Sequence, residues 1–344
     1  MLLIDAINVK SRGGIVLLDY LARELDRRKV NYRIVDEEMA QDAGSFPLLS
    51  KIPFYKYIQR SRSVRKYAKE YGAKKLLCFG NFPPAVPIPG TEVITYFQNA
   101  LLLRSVNLKE YNIQRVTSLR MKQFFLRSFL KNTNVYVFQT ENLKNSFRQE
   151  NRLPSELVVY PFFDLTKVYE IQAGISGERE AESFIYPGSA QPHKNHDNLF
   201  AAWELMAEQS LYPTLKVTVT KHEENTTALA QIKRLREKGV KIVNLGSLPY
   251  DQMLKQIAAC KFVVYPSLIE TIGLSLVEGA LLHCKVLVSD YPYHKDVISP
   301  SDTFDPLNPG DIARSVRTAL TTELPDTKVI IENQIDPLIS YLTE

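Results

Sequence analysis

Two glutamates and a lysine are the residues whose placement most invites chemistry. Glu270 and Glu278 stand eight positions apart in 261–290, KFVVYPSLIETIGLSLVEGALLHCKVLVSD, a stretch otherwise rich in apolar side chains. Its runs KFVVYPS and KVLVSD are short, β-branched and end in turn residues, the pattern of buried strands. Between them Leu274, Val277 and Leu281 fall at the spacing of one helix face. Such a unit puts its loop at the carboxyl edge of a parallel sheet, where open α/β folds bind ligands. Glu270 then lies just before the helix and Glu278 within its first turns. A carboxylate there can be a mere dipole partner, contributing about 0.3–1 kcal/mol. The paired spacing, with a strand on each side, favours a ligand.

The lysine is Lys194, in the loop 186–196, YPGSAQPHKNH, which follows a strand and precedes a helix carrying Leu199, Ala202, Trp203 and Met206. A helix N-terminus favours anions, so a cation placed there suggests that lysine and helix together serve an anionic ligand such as a diphosphate. His193 and His196 lie three apart, a spacing open to metal ligation, but no third ligand is near. No Asp-x-Asp occurs in the chain, so the usual carboxylate anchor of a metal–nucleotide complex is missing, and neither metal nor other cofactor is expected. Near the N-terminus, Ser11-Arg12-Gly13-Gly14 reads as a loop between the first strand and the first helix. Glycines there let backbone N–H groups approach a phosphate, although a tight turn alone would also use them. The loop is not GxGxxG, which makes a dinucleotide reading weak.

These residues need a scaffold, and the chain supplies two. At 344 residues with 45% apolar side chains it suits two globular domains. Strand-like and helix-like segments alternate in both halves, predicting two Rossmann-like, doubly wound α/β domains facing a cleft. Strands are expected at 2–8, 32–36, 75–80, 92–97 and 135–140, then at 182–188, 215–220 and 240–246. The first helix should face its core with Ile15, Leu18, Ala22 and Leu25, and a second-half helix should run from about His196 to Ala207. The expected boundaries are 1–165 for the first domain, 166–181 for the linker (the most charged part of a looser stretch, 151–181), and 182–344 for the second, with the last residues free to return to the first. There is no run of about 18 uncharged apolar residues to span a membrane, and the N-terminus reads as a first strand rather than a signal peptide. Cys78, Cys260 and Cys284 are odd in number and far apart, as reduced thiols of a cytoplasmic protein would be.

The Glu270–Glu278 pair, with Gly273-Leu274 at the helix start, resembles the glutamate pair of glycosyltransferase family 4, a retaining family of GT-B fold. The Gly13-Gly14 loop, PHKN (192–195), LGSLPYDQMLKQIAAC (245–260) and SDYPYHKDV (289–297) occur in the order that family keeps. The resemblance covers nearly the whole chain, strongly in the second half and more loosely in the first. It implies that Glu270 binds hydroxyls of the donor sugar and Glu278 the ribose of the nucleotide. Backbone amides of Ile272, Gly273 and Leu274, with Lys194, His193 and Gly14, would hold the diphosphate. Two positions depart from the family pattern. Ser189 stands where an arginine often follows the glycine, and Gln98 stands where a histidine often follows the strand at 92–97. A glutamine there can hydrogen-bond a sugar hydroxyl but cannot shuttle a proton, which suits a retaining transferase whose departing phosphate oxygen takes the acceptor proton.

The resemblance therefore implies a cytoplasmic glycosyltransferase that moves a sugar from a nucleotide-sugar to a saccharide acceptor, expected to be lipid-linked, of the kind used in O-antigen or capsule assembly. A non-hydrolysing GT-B epimerase is a rival, but would need acid/base residues where Gln98 stands. A non-enzymatic two-domain sugar-binding protein is another, and usually needs export. The charge split bears on the acceptor: residues 1–150 hold 25 Lys/Arg against 13 Asp/Glu, and 151–344 hold 18 against 25. Basic residues concentrate in 51–75 and 104–131. In the latter, a helix would put Arg120, Gln123, Arg127 and Lys131 on one face and Met121, Phe124, Phe125 and Phe129 on another, an interfacial pattern. Peripheral contact with an anionic membrane on its inner face is expected, unless those phenylalanines pack into the core. Nucleic acid is a poorer partner, since neither stretch lies in a binding motif.

Overall fold

The short apolar runs of the first half become one parallel sheet. The computed structural model describes residues 1–7, 9, 12–41, 53–175, 177–221 and 227–344; Ser11 and the start of the basic stretch 51–75 lie outside them. Strands β1 (Leu2–Asp5), β2 (Tyr32–Val35), β3 (Lys75–Cys78), β4 (Glu92–Phe97), β5 (Val135–Phe138) and β6 (Glu156–Val159) align in the order β2-β1-β3-β4-β5-β6. Every neighbouring pair is parallel. Parallel strands covered on both faces read as continuous apolar runs, and LLID and VYVF are buried throughout. Helices α1 (Arg12–Arg27), α2 (Glu37–Gln41), α3 (Pro53–Glu70), α4 (Ile113–Phe129) and α5 (Glu141–Glu150) connect them.

The second half repeats the plan. It opens with α6 (Thr166–Ala173), β7 (Glu180–Tyr186), α7 (His196–Glu208), β8 (Thr214–Val217), α8 (Thr227–Glu237) and β9 (Ile242–Asn244). Then come α9 (Tyr250–Ala259), β10 (Cys260–Tyr265), α10 (Leu274–Leu281), β11 (Lys285–Ser289), β12 (Ile298–Ser299), β13 (Asp302–Phe304), α11 (Pro309–Thr321) and β14 (Lys328–Val329). The main sheet has the parallel order β13-β11-β10-β7-β8-β9, and β12 pairs antiparallel with β14. The final helix, α12 (Ile335–Thr343), belongs with the first sheet. Two units result: Met1–Asp164 with Glu332–Glu344, and Leu165–Ile331. The two doubly wound α/β sheets expected from the alternation are the architecture observed. Among the described residues no helix is long and apolar enough to cross a membrane.

Several local expectations need correction. The glycine loop is not a loop at Gly13 and Gly14, because α1 starts at Arg12 and both occupy its first turn. The buried stripe of α1 runs through Gly14, Leu21 and Leu25, with Leu17 and Leu18 against it, while Ile15 is 44% exposed. The stretch read as linker holds β6 and α6, and β7 begins two residues before 182. Helix α10 has no single buried face: Leu276, Val277, Glu278, Gly279 and Ala280 are all buried in succession, since the helix is covered on more than one side. In α4, Gln123 is buried rather than solvated, because its amide is consumed by backbone carbonyls; Phe125 and Phe129 stack on Tyr57 at 6.0 and 5.7 Å. Arg60, counted among the surface cations of 51–75, is buried against Asp5.

Candidate active site

The order of the second sheet reverses between β7 and β10. The crevice outside the carboxyl ends of the strands at such a reversal is where open α/β sheets bind ligands. β7 ends at Tyr186 and β10 at Tyr265, and each is followed by proline, which cannot continue the ladder. The chain leaving β7 carries Lys194 in a 3-10 turn, Pro192–Lys194; the chain leaving β10 carries Glu270. The Leu268 N–H donates to the His193 carbonyl at 2.8 Å, tying the two loops together. Buried Asn195, left-handed at φ 59°, donates through Nδ2 to the carbonyls of Pro266 (3.1 Å) and Pro306 (2.7 Å). So clamped, Lys194 Nζ lies 2.5 Å from Glu270 Oε1. Glu270 thus supplies the counter-charge for a lysine otherwise misplaced at the start of α7.

Tyrosines build the floor of this pair. The Tyr265 hydroxyl donates to Glu270 Oε1 at 3.1 Å, and Lys194 Nζ sits over the Tyr265 ring, 5.6 Å from its centroid. The Tyr186 hydroxyl lies 2.9 Å from the Lys194 carbonyl and 2.8 Å from Ser267 Oγ, and Tyr293 donates to the Ser267 carbonyl at 3.0 Å. Burial, reinforced by the Glu270 charge, holds the Tyr186, Tyr265 and Tyr293 hydroxyls well above their ordinary pKa, so they stay protonated donors. For Glu270 burial pushes the pKa up, but the Lys194 ammonium and His193 outweigh it and hold the carboxylate below its usual range.

Glu278 is placed differently. Helix α10 starts from Gly273 at φ 64°, where a Cβ would stand 3.3 Å from both the Tyr265 hydroxyl and a Leu276 methyl, so glycine answers two constraints at once. One residue past Glu278, a Cβ on Gly279 would lie 2.8 Å from a Val263 methyl, which is how closely α10 approaches β10. That approach carries Glu278 into the interior at 1% exposure. Its Oε1 accepts from the Tyr250 hydroxyl at 2.7 Å, while Oε2 has no hydrogen-bond partner among the described residues. Burial outweighs the hydrogen bonds from Tyr250 and Ser275 and pushes the carboxyl up to about 7. A buried carboxyl with one open oxygen is poised to accept from a ligand hydroxyl. Ile272 is buried, and Gly273 and Leu274 are half-buried.

The remaining expected residues divide between the units. His193, next to Lys194 in the chain, and Ser189 are half-buried. His196 is not beside them: it is buried, its ring 4.9 Å from Tyr186 and 5.7 Å from Phe200, with neither nitrogen hydrogen-bonded among the described residues. Burial, then the charge of Lys194, lowers its pKa to about 3. Gly14 and Gln98 belong to the first unit. The Gln98 N–H donates to Asn81 Oδ1 (2.7 Å) and its Nε2 to the Phe79 carbonyl (3.3 Å), so β4's end is held to the loop after β3. That loop is fixed by a pair the sequence reading missed. Asp5, at the end of β1, meets Arg60 at 2.5 Å, and Arg60 donates to the Phe82 carbonyl at 2.9 Å. The tyrosine floor was also missed, although a repeated signal marks part of it: Tyr186-Pro187 and Tyr265-Pro266 each close a core strand, and Tyr293 follows Pro292.

Comparison with known proteins bears on this geometry. Residues 170–336 match the family model for glycosyl transferases group 1. The matched residues include Lys194, Glu270 and Glu278 and most of the second unit. Among curated proteins, none matches. Solved structures with a similar fold include sucrose-phosphate synthase from Thermosynechococcus elongatus, at TM-score 0.65 and 12% identity over 93% of this chain and 89% of that one. An α,α-trehalose-phosphate synthase (UDP-forming) from Burkholderia vietnamiensis gives TM-score 0.64 and 9% identity over 99% and 95%. Anabaena HepE, solved in complex with UDP and glucose, gives TM-score 0.61 and 13% identity over 93% and 89%. Each unit therefore has the α/β fold that these solved structures share with this chain.

Proposed function

We propose that the protein is a retaining, metal-independent family 4 glycosyltransferase, moving a sugar from a nucleotide-sugar to a lipid-linked saccharide in surface polysaccharide biosynthesis. The observation that carries the reading is the Lys194–Glu270 pair, 2.5 Å apart at the strand reversal of a group 1 region. In this reading Glu270 accepts from hydroxyls of the donor sugar, and the open oxygen of Glu278 accepts from the ribose. Lys194, His193 and the amides of Ile272 to Leu274 meet the diphosphate. The bond from the anomeric carbon to the diphosphate oxygen breaks, the acceptor oxygen bonds to that carbon on the same face, and its proton passes to the departing phosphate oxygen. Negative charge grows on the leaving group, and preorganised N–H donors with a lysine stabilise it more in the transition state than in the ground state. Gln98, in the first unit, offers a neutral amide and no base. The basic first half supports an acceptor carried at an anionic membrane.

The test begins with thermal shifts against UDP-, GDP- and dTDP-sugars to find the donor, since binding stabilises the folded state. Lys194→Ala is then expected to lower turnover about 10²–10³-fold, with a much smaller loss of affinity for the free nucleoside. Glu270→Gln should cut turnover likewise, and a chelator should leave the rate unchanged. If both variants turn over like the parent, the site is misassigned.

A further inference from the structure

On the first unit, away from the residues above, lies a pocket of about 700 Å³ lined by Arg104, Arg120, Gln123, Phe124, Arg127 and Glu150. Its base is built. Buried Gln123 donates through Nε2 to the carbonyls of Leu101 (3.1 Å) and Leu103 (2.8 Å), holding that segment to α4. Glu150, at the end of α5, accepts the N–H groups of Arg104 (2.7 Å) and Ser105 (2.8 Å), one on each carboxylate oxygen. Arg120 donates to Gln123 Oε1 at 2.9 Å. Three guanidinium groups therefore face one carboxylate whose oxygens are already engaged, a local balance of 3 − 1 = +2. Among the described residues neither Arg104 nor Arg127 has an ion-pair partner.

Guanidinium forks match phosphate oxygens, so the pocket's charge selects a phosphate group. Its rim selects what that phosphate is attached to. Ile113, Arg120, Phe124 and Arg127 are spaced by 7, 4 and 3 residues, which puts them on one stripe of α4. On that stripe Ile113 is 76% and Phe124 65% exposed. Phe124 lines the pocket and Ile113 lies farther along the same stripe; exposed apolar side chains beside a cationic pocket gain nothing from a free phosphate ion but are covered by an acyl or prenyl chain. We propose that this pocket binds the phosphate of an anionic lipid, with Ile113 and Phe124 resting on the lipid's apolar part. The inference deepens the membrane contact of the proposed function by naming the residues that make it, and it does not depend on how the donor is bound.

Cosedimentation of the whole protein with phosphatidylglycerol and with phosphatidylcholine vesicles, at low and high salt, tests it. Binding to phosphatidylglycerol alone, weakened by salt, is expected. Each basic side chain near an anionic leaflet is worth about fivefold in binding, so Arg104→Gln with Arg127→Gln should weaken it roughly 25-fold. The matched pair Lys29→Gln with Arg33→Gln, exposed at the opposite edge of the same sheet, should change it less than about threefold if position and not total charge matters. Phe124→Ser should weaken vesicle binding as well. Equal losses from the two double variants, or no preference for phosphatidylglycerol, overturn the proposal. So does competition by inorganic phosphate with Phe124→Ser unaffected, which would mean a soluble phosphate ligand. Thermal shifts with nucleotide-sugars in the same variants report separately on the Lys194–Glu270 site, so the two readings can fail independently.

Discussion

At Glu278 burial and binding pull in opposite directions, and the conflict can be measured. Its carboxyl is pushed up to about 7 from an ordinary 4.5, chiefly by burial. A raised folded-state pKa means the folded protein holds the proton more tightly than the unfolded chain. The resulting stability is complete below about 4.5 and is lost as pH rises through about 7, up to about 3 kcal/mol in all. Glu278→Gln keeps the volume and the bond from Tyr250 but cannot ionise. We expect the variant to unfold at a higher temperature than the parent at pH 8, with the gap shrinking toward pH 5, and to bind the donor nucleotide more weakly. A stability gap that does not vary with pH would contradict the burial argument, whatever happens to binding. Residue types alone exposed Glu270, Glu278 and Lys194 in the sequence. The tyrosines under them were not legible, because only the register of β7 beside β10 makes Tyr186 and Tyr265 neighbours, with ring centroids 5.3 Å apart.

At the scale of elements, period and length gave most strands, and the misreadings have physical causes. β4 spans the expected 92–97, while β1 is shorter than the expected 2–8 and stops at Asp5, whose carboxylate meets Arg60. The α4 stripe was turned the wrong way by Gln123, a polar side chain that is buried because three hydrogen bonds satisfy it. His196 opens α7 in the same disguise: it looks like a site residue and packs as core. Its pKa falls from 6.5 to about 3, mainly through burial. The unfolded chain then takes up the proton first, so stability is intact above pH 6.5 and is lost as pH falls toward 3, by about 1.4 kcal/mol per unit at most. His196→Phe, which keeps a flat ring against Tyr186, should shift acid unfolding followed by circular dichroism to lower pH. An unshifted midpoint would mean that other groups govern acid sensitivity.

For the whole molecule, the lesson is that chain order and spatial order part at the C-terminus. Helix α12 follows the second unit in sequence but buries Ile335, Leu338, Ile339 and Leu342 in a cluster with Leu2, Ile4, Leu21 and Leu25. Its entry is fixed by Gln334, whose N–H donates to the Pro161 carbonyl at 2.7 Å, and by Asn333, whose Nδ2 donates to the Phe163 carbonyl at 2.9 Å. A nine-residue amphipathic helix announces that it has an apolar face, and its period says nothing about which core receives that face. Leu338 is fully buried, so Leu338→Ala should cost about 2–5 kcal/mol, a large share of the 5–15 typical of a domain. That cost belongs to the first unit. Native-state hydrogen exchange should therefore speed up about 30-fold or more for the slowest amides of β1 and β3, while those of β7 and β10 keep their protection. Equal acceleration in both sheets would show that the two units unfold as one, and no acceleration in β1 would show that α12 does not support the first core.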